Sequence, residues 1–146
     1  MGLIVLDAGP VIAVLDPADA HHAAAIACLH EAERLGGRFA IPASAYAECL
    51  VSPSRRGRSA VRAVDRYLED LGAMVEPITR EVAKEAAALR ARHGRRLPLS
   101  DALVVATAIV RRADQILTTD AGWPDLPVQV TVTTGTEPRI QPRSSE

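Results

Sequence analysis

The chain has 146 residues, of which 17 are basic and 18 acidic, and its formal net charge is −1. This length favours one domain, which can bury a core large enough to fold without disulfides or a structural metal. The balanced charge excludes a protein surrounded by a basic field, so any contact with nucleic acid has to be local.

Neither a membrane segment nor a zinc-binding pattern is predicted. No apolar run approaches the roughly 18 residues that a spanning helix needs. The apolar N-terminal segment lacks the basic start of a signal peptide and is interrupted by Asp7 and Pro10. Cys28 and Cys49 have no CxxC spacing, and the four histidines fit no zinc motif. We therefore expect a soluble protein in the reducing cytoplasm.

The first half of the chain alternates short apolar strands with helices. Residues 3–6 form a continuous apolar run, typical of a strand buried on both faces. Asp7 ends this strand, and Pro10 suits the first turn of a short helix that follows. The further elements predicted here are a helix from its N-cap Asp19 to about Leu35, a strand over 38–42, a helix from Ala43 to about Val51 closed by Ser52 and Pro53, and a helix from about Ser59 to Leu71.

The second half continues the alternation and completes the predicted fold. Its elements are a strand over 73–78, a helix capped by Thr79 and running to about Arg92, an apolar helix from 98–100 to about Arg112, and strands over 115–119 and 128–133. Such alternation predicts an α/β fold, a three-layer α/β/α sandwich with a mainly parallel sheet of about five strands. We assign residues 1–134 to one domain and predict that the Pro- and Ser-rich residues 135–146 form a disordered tail.

Four acids lie where a predicted strand ends or a predicted helix begins: Asp7, Glu48, Asp101 and Asp120. An open α/β sheet places its site outside the carboxyl ends of its strands, where residues distant in the chain meet. Four carboxylates there would repel one another unless a divalent cation neutralised them, and oxygen ligands suit Mg²⁺ or Mn²⁺. The sequence therefore predicts a metal-dependent enzyme acting on phosphodiesters.

Each of these acids also has a purely structural interpretation. Asp7 would serve as a helix N-cap, and Asp101 would complement the helix dipole beside a capping Ser100. Glu48 would be an exposed helix residue, and Asp120 would form an Asx turn after its strand. The apolar surroundings of Asp7 and the dipole field at Asp101 favour a functional role for these two, whereas the other two depend on the combination.

Four segments together resemble a known family: "IVLDAGPVIAVLD", "IPASAYAECLVSP", "LPLSDALVVATAIVRRADQILTTD" and the trailing "GWPDL". In order and interval they are similar to the PIN-domain nucleases, and within them to the virulence-associated protein C (VapC) type toxins of bacterial toxin–antitoxin pairs. The resemblance extends from residue 3 to about residue 126.

This resemblance implies an endoribonuclease that uses Mg²⁺ or Mn²⁺ to cut RNA. Its catalytic and metal-binding acids would be the four named above, Asp7, Glu48, Asp101 and Asp120. Thr118 matches a hydroxyl position near the last acid and would orient an acid or the substrate. Either Asp120 or Glu48 would hold the attacking water, and the sequence leaves both assignments open.

The resemblance also implies partners, and it is incomplete at one position. A separate antitoxin protein would inhibit the enzyme, and the chain would form a homodimer, for which we favour the helices around 43–71 as the interface. Many members of the family carry Ser or Thr directly after the first acid, whereas this chain carries Ala8 and Gly9. A role for that hydroxyl is therefore not expected here.

Two arginine clusters are candidates for contact with the RNA backbone: Arg55, Arg56 and Arg58 in the turn after the Glu48 helix, and Arg95 and Arg96 ahead of the Asp101 helix. Solvated, tolerant loops are an equally good interpretation of both clusters. Aromatic residues make up 3% of the chain, so base stacking can rest on little beyond Tyr46 and Trp123.

Two other functions remain as alternatives. One is a catalytically silent PIN-like module that binds RNA or protein, which the presence of all four acids disfavours. The other is a phospho-acceptor or phosphatase-like domain with Asp7 as the nucleophile. The segment after the first strand lacks the second nearby acid that such nucleophile loops need, so this alternative is the less favoured.

Overall fold

The protein is described here from a computed structural model that covers residues 2–133 and 139–141. Its strands are β1 (Leu3–Leu6), β2 (Arg38–Pro42), β3 (Met74–Glu76), β4 (Gln115–Thr118), β5 (Gln129–Val132) and β6 (Arg139–Gln141). Its helices are α1 (Ala8–Leu15), α2 (His22–Arg34), α3 (Ala43–Arg56), α4 (Arg58–Leu71), α5 (Arg80–His93) and α6 (Leu99–Val110), and a 3-10 turn spans Gly94–Arg96.

The strands form one sheet in the order β3-β2-β1-β4-β5-β6. The first five strands in this order are parallel to their neighbours, with β1 between β2 and β4. This arrangement confirms the predicted α/β/α fold with a mainly parallel sheet. Because the chain builds outward from β1 in both directions, the topological switch point lies beside β1, where open sheets of this kind place their sites.

The core lies where helices cover the central strands. Ile4, Val5 and Leu6 of β1 are almost fully buried, as are Ile116 and Leu117 of β4. Apolar side chains on both faces of these strands require helices on both sides, which explains why their sequences are continuously apolar. Helices α6 and α1 are each half buried, and α6 places Ala102 and residues 104–108 inside the protein.

The helix α3 extends further than its sequence predicts. Ser52 and Pro53 were expected to close it, but α3 continues to Arg56 with Pro53 inside its last turns. A proline in a helix loses one backbone hydrogen bond. Here the Pro53 ring is buried, so its packing offsets that loss, and the helix continues until Gly57 donates to the carbonyl of Pro53 at 3.1 Å.

The start of α2 and the end of the sheet also differ from the sequence-based expectation. Asp19 does not cap α2; its carboxylate accepts the N–H of His21 at 2.8 Å in a turn before the helix. Within the segment predicted to be disordered, residues 139–141 form β6, antiparallel to β5. The exposed edge of β5 offers unpaired backbone groups that a returning chain can bond. The rest of that segment, 135–138 and 142–146, lies outside the described residues.

In the described part of the chain, none of the helices combines the length and apolarity that crossing a bilayer requires.

Candidate metal and nucleic-acid site

The candidate site lies at the carboxyl ends of β1 and β4, beside the switch point of the sheet. The ladder between these strands extends to Asp7, whose N–H donates to the carbonyl of Leu117 at 2.9 Å. Asp120 follows β4 by two residues, and Asp101 lies in the first turn of α6. Two strand ends and a helix start therefore bring three of the predicted acids to one edge of the sheet.

Asp7 is held in one orientation by two hydrogen bonds. Its Oδ1 accepts the N–H of Ala8 at 2.9 Å, and its Oδ2 accepts the hydroxyl of Thr118 at 2.8 Å. Burial raises the pKa of this carboxyl, and the two hydrogen bonds oppose the rise. Asp7 is the N-cap of α1, as the structural interpretation holds, but only one of its two oxygens serves the cap. The same side chain can therefore cap a helix and bind a ligand.

Thr118 connects the two acids that follow the strands. The residue is fully buried, and its hydroxyl donates to Asp7 while accepting the N–H of Asp120 at 3.1 Å. Asp120 in turn accepts the N–H of Gly122 at 2.7 Å, which is the Asx turn expected from its position. Both hydrogen-bonding capacities of the Thr118 hydroxyl are thus used within the protein, and they fix Asp7 relative to the chain that carries Asp120.

Asp101 has the most strongly raised pKa of the acids at this edge, at about 6. Burial is the main cause, followed by repulsion from Asp7, then Asp120, and more weakly from Glu48. The indole N–H of Trp123 is near enough to lower this pKa. It forms no hydrogen bond, however, with any acceptor in the described chain. We regard it as a nearby donor and not as a formed hydrogen bond.

The capping interpretation of Asp101 differs from the structure. Ser100 was expected to be the N-cap, but α6 begins at Leu99 and its N-cap is Pro98, which makes no side-chain capping bond. Proline has no side-chain acceptor, so the first amides of α6 are left without a side-chain cap. Asp101 is the acid in that first turn, where the helix dipole favours its ionised form.

Glu48 lies one turn and a half into α3 and is exposed. Partial burial raises its pKa, and repulsion from Asp7 raises it further. Its neighbour Cys49 is buried, and the Cys49 thiol donates to the carbonyl of Ala8 at 3.8 Å. This contact, which the sequence did not reveal, fixes α3 against the junction of β1 and α1. Burial and the adjacent carboxylates raise the pKa of Cys49 to about 12, so it remains a thiol.

The four acids therefore belong to one electrostatic unit without forming a coordination cage. Asp7 raises the pKa values of both Asp101 and Glu48, and Asp120 raises those of Asp7 and Asp101. Among residues 2–133 and 139–141, no three His, Cys, Asp or Glu side chains form a group positioned to hold an ion. Oxygen donors that repel one another in this way fit a hard divalent cation, which would neutralise them.

The candidate arginines belong to three different elements of the fold. Arg55 and Arg56 belong to the last turn of α3 and not to a loop, and Arg58 begins α4. Arg95 and Arg96 lie in the 3-10 turn before α6. All five are exposed, and none forms a salt bridge in the described chain. Arg56 lines a cavity together with one of the four acids, Glu48.

That cavity lies between α1, α3 and α4 and has a volume of about 220 Å³. Its lining is mainly apolar, with Ile12 and Leu15 from α1 and Val64 from α4. Glu48 and Arg56 supply charges of both signs at its wall. Ile12 and Leu15 are more than one-third exposed, so the cavity presents apolar surface directly beside the acidic edge.

The two aromatic candidates for base stacking are engaged elsewhere. Trp123 is 5% exposed and packs in the hydrophobic core. Tyr46 lies partly buried on α3, and its phenol donates to the carboxylate of Asp65 on α4. The sequence could reveal neither burial nor this partner, because both depend on residues distant in the chain. Base stacking on either ring would require the ring to move.

Comparison with known proteins identifies the domain and its structural relatives. The sequence profile of the PIN domain matches residues 4–128. No curated protein matches the chain significantly.

Several solved structures share the fold. VapC20 of Mycobacterium tuberculosis, a sarcin–ricin loop cleaving toxin, is 20% identical with a TM-score of 0.65, over 77% of this chain and 86% of that one. VapBC2 of Rickettsia felis, bound to a DNA fragment from its promoter, gives 15% identity and a TM-score of 0.66, over 81% and 88%. FitAcB of Neisseria gonorrhoeae is 22% identical with a TM-score of 0.61, over 82% of this chain and 88% of that one.

Proposed function

The chain belongs to the PIN domain family, and we propose on this basis that it is a metal-dependent endoribonuclease, the toxin of a toxin–antitoxin pair. The observation that carries the proposal is the electrostatic coupling of four carboxylates at one edge of the sheet. Such mutual repulsion destabilises the ionised site, and a bound cation would remove that cost.

The proposed metal ligands are Asp7, Asp101, Glu48 and Asp120, with Mg²⁺ or Mn²⁺ as the ion. When bound, such an ion lowers the pKa of a coordinated water and neutralises charge on the phosphate. Asp7 holds its carboxylate ready through the hydroxyl of Thr118 and the N–H of Ala8. Asp101 has to be ionised to bind the ion, so its raised pKa makes it the most proton-sensitive of the ligands.

The division of labour between the remaining two acids follows from their surroundings. Asp120 is tied to the chain through the Asx turn at Gly122, whereas Glu48 is exposed on α3 and has no hydrogen bond in the described chain. We propose that Glu48 adapts its position and holds the attacking water. Asp120 then serves as a fixed ligand.

RNA is the proposed substrate, and the arginines would bind its backbone. Arg56 at the wall of the cavity beside Glu48 is the arginine placed best for a phosphate next to the cleaved bond. Arg55, Arg58, Arg95 and Arg96 are exposed further out and would add backbone contacts that depend on salt concentration. With both candidate rings engaged elsewhere, recognition would rest on charge and RNA shape.

The proposed protein partners are an antitoxin and a second copy of the chain. The solved relatives include a toxin–antitoxin complex from Klebsiella pneumoniae, 19% identical with a TM-score of 0.60, over 80% of this chain and 86% of that one. The apolar cavity beside Glu48 would accept an apolar segment of the antitoxin and so cover the acidic edge. For the homodimer, α3 exposes Val51 and the edge strand β3 exposes Met74 at 63%, both suited to burial against another chain.

The direct test is cleavage of a labelled structured RNA with Mg²⁺ or Mn²⁺, beside matched reactions containing EDTA. We expect cleavage by the wild type with either ion, loss of cleavage in EDTA, and loss in both Asp7→Asn and Asp101→Asn. A folded wild type that binds the ion but cuts no RNA would instead indicate the catalytically silent binding module.

The toxin part of the proposal has a separate test in cells. Induced expression of the wild type should arrest growth, and the neighbouring gene on the same transcript should relieve the arrest. The control is Asp7→Asn, which should accumulate to the same level without arrest. Normal growth with active wild-type enzyme would indicate a housekeeping ribonuclease.

A further inference from the structure

The side chain of Thr119 occupies the space above Gly9, the second residue of α1. A Cβ added to Gly9 would lie 2.1 Å from the Oγ1 of Thr119, with the Cβ and Cγ2 of Thr119 next at 3.1 and 3.2 Å. A separation of 2.1 Å is far below contact distance, so Gly9 is required here for space. The hydroxyl of Thr119 is therefore held directly against the first turn of α1.

This position places the Thr119 side chain against the helix that Asp7 caps. Thr119 lies between Thr118, which bonds Asp7, and Asp120. Gly9 lies two residues after Asp7, and Ala8 between them offers no hydroxyl. Thr119 thus lies on the segment that leads from β4 to Asp120, with its hydroxyl against the first turn of α1, which follows Asp7.

The hydroxyls of the two adjacent threonines differ in availability. The Thr118 hydroxyl is buried and both donates and accepts within the protein. The Thr119 hydroxyl has no hydrogen-bond partner in the part of the chain that the structure describes, and the residue is only partly buried. A hydroxyl that is fixed in place, partly exposed and unpartnered is free to donate to a bound molecule.

We propose that Thr119 is a substrate-binding residue whose hydroxyl donates a hydrogen bond to a phosphate oxygen of the RNA at the acidic edge. The inference rests on the proposed ribonuclease function. Four carboxylates attract the cation but repel the phosphate, so the phosphate needs neutral or positive donors close to them. A hydroxyl satisfies this need without competing for the metal, and Gly9 leaves the room it requires.

The test compares Thr119→Val, which keeps the shape but removes the hydroxyl, with Thr119→Ser, which keeps the hydroxyl. We expect Thr119→Val to raise the KM for a fluorogenic single-stranded RNA of mixed sequence by roughly tenfold, with a smaller change in kcat. Thr119→Ser should stay close to the wild type. The affinity for Mn²⁺ and the thermal midpoint should be unchanged in both, which separates a substrate contact from a structural role.

A substitution at Gly9, which contacts Thr119, tests the same hydroxyl. Gly9→Ala should displace Thr119 and raise KM in the same way, while Thr119 itself remains in the chain. If the wild type cleaves RNA and Thr119→Val has the wild-type KM, the inference is wrong and the proposed function stands. If the wild type cleaves no RNA under any metal condition, the proposed function and this inference fall together.

Discussion

The strand side and the helix side of the acidic edge are built differently. Asp7 and Asp120 follow strands, and the hydroxyl of Thr118 links them through two hydrogen bonds. Glu48 and Asp101 project from helices, and the side chain of neither forms a hydrogen bond in the described part of the chain. The carboxylate of Asp7 and the chain that carries Asp120 are therefore positioned before any ligand binds. The positions of the Glu48 and Asp101 carboxylates depend instead on helix packing and on repulsion between charges.

This difference suggests that the two sides contribute to function in different ways. Preorganised ligands lose little entropy when they bind an ion, which strengthens binding and fixes its geometry. The acids of the helix side can adapt their positions to the substrate and to the changing charge during the reaction. Substitutions on the two sides should accordingly differ in their effects on activity and on stability.

The largest effect is expected for Asp7→Asn on the strand side. The variant keeps the size of the side chain and an acceptor for the Ala8 cap, so it should fold. Loss of one metal-binding charge should lower the cleavage rate by about three orders of magnitude, on the basis of several kcal/mol of lost stabilisation. Single-turnover cleavage of a labelled RNA measures this effect, and a rate within tenfold of the wild type would show that Asp7 is not a ligand.

Thr118→Val should have the second largest effect, because it breaks the link on the strand side. Both Asp7 and the N–H of Asp120 lose a buried partner, which costs roughly 1–3 kcal/mol of stability per group. Urea unfolding should show this loss, and cleavage should slow although no ligand is removed. Thr118→Ser is the matched control and should recover most of the stability and most of the cleavage rate. Equal behaviour of the two variants would mean that the hydroxyl does not orient Asp7.

Lower pH should slow cleavage because it protonates Asp101, an acid of the helix side. Asp101 has a pKa of about 6 without a metal, and the ligand has to be ionised. Measured at subsaturating Mn²⁺, where the metal-free enzyme predominates, the rate should therefore fall by about tenfold per pH unit below about 6. A pH–rate profile measures this, with circular dichroism at each pH to confirm that the fold persists. A flat profile between pH 5 and 7 would contradict the assignment.

Glu48→Gln should reduce cleavage less, by about tenfold, since the exposed side chain adapts and water can replace it in part. Its effect on stability should be small, because an exposed position is changed. Steady-state kinetics and thermal unfolding together test this. A loss as large as that of Asp7→Asn would show that the helix side is as essential as the strand side.

Asp101→Asn should change stability with the opposite sign from Thr118→Val. A raised pKa in the folded protein means that the protonated form stabilises the fold and that this contribution is lost as pH rises through about 6. A neutral Asn should therefore stabilise the metal-free protein at pH 7.5, by about 1 kcal/mol after allowance for solvent screening. Near pH 4 the difference should vanish. Destabilisation at pH 7.5 would contradict a raised pKa of Asp101 in the folded protein.

The sequence predicts best where local pattern and burial agree. The apolar run before Asp7 predicts a buried strand that ends at this acid, and the structure has the strand at Leu3–Leu6 with Asp7 directly after it. The alternation of strands and helices was enough to predict the parallel sandwich, because few topologies join such elements. The metal-binding and catalytic roles of the four acids remain predictions.

The features that the sequence did not predict depend on distant residues. Pro53 continues α3 because its ring is buried, and β6 forms because the edge of β5 is available. The thiol of Cys49 reaches the carbonyl of Ala8, 41 residues away. No local pattern encodes such contacts, and the same holds for the burial and the repulsion that raise the pKa of Asp101.

The central claim is that the four carboxylates act as one cation site. Titration calorimetry of the metal-free protein with Mn²⁺ at pH 7.5 tests it most directly, with Asp7→Asn, Asp101→Asn and a half-buried control on α5, Glu85→Gln. The account predicts binding by the wild type and the control, and a large loss of affinity in both site variants. Absence of Mn²⁺ binding by the wild type, or equal binding by Asp7→Asn, would contradict it.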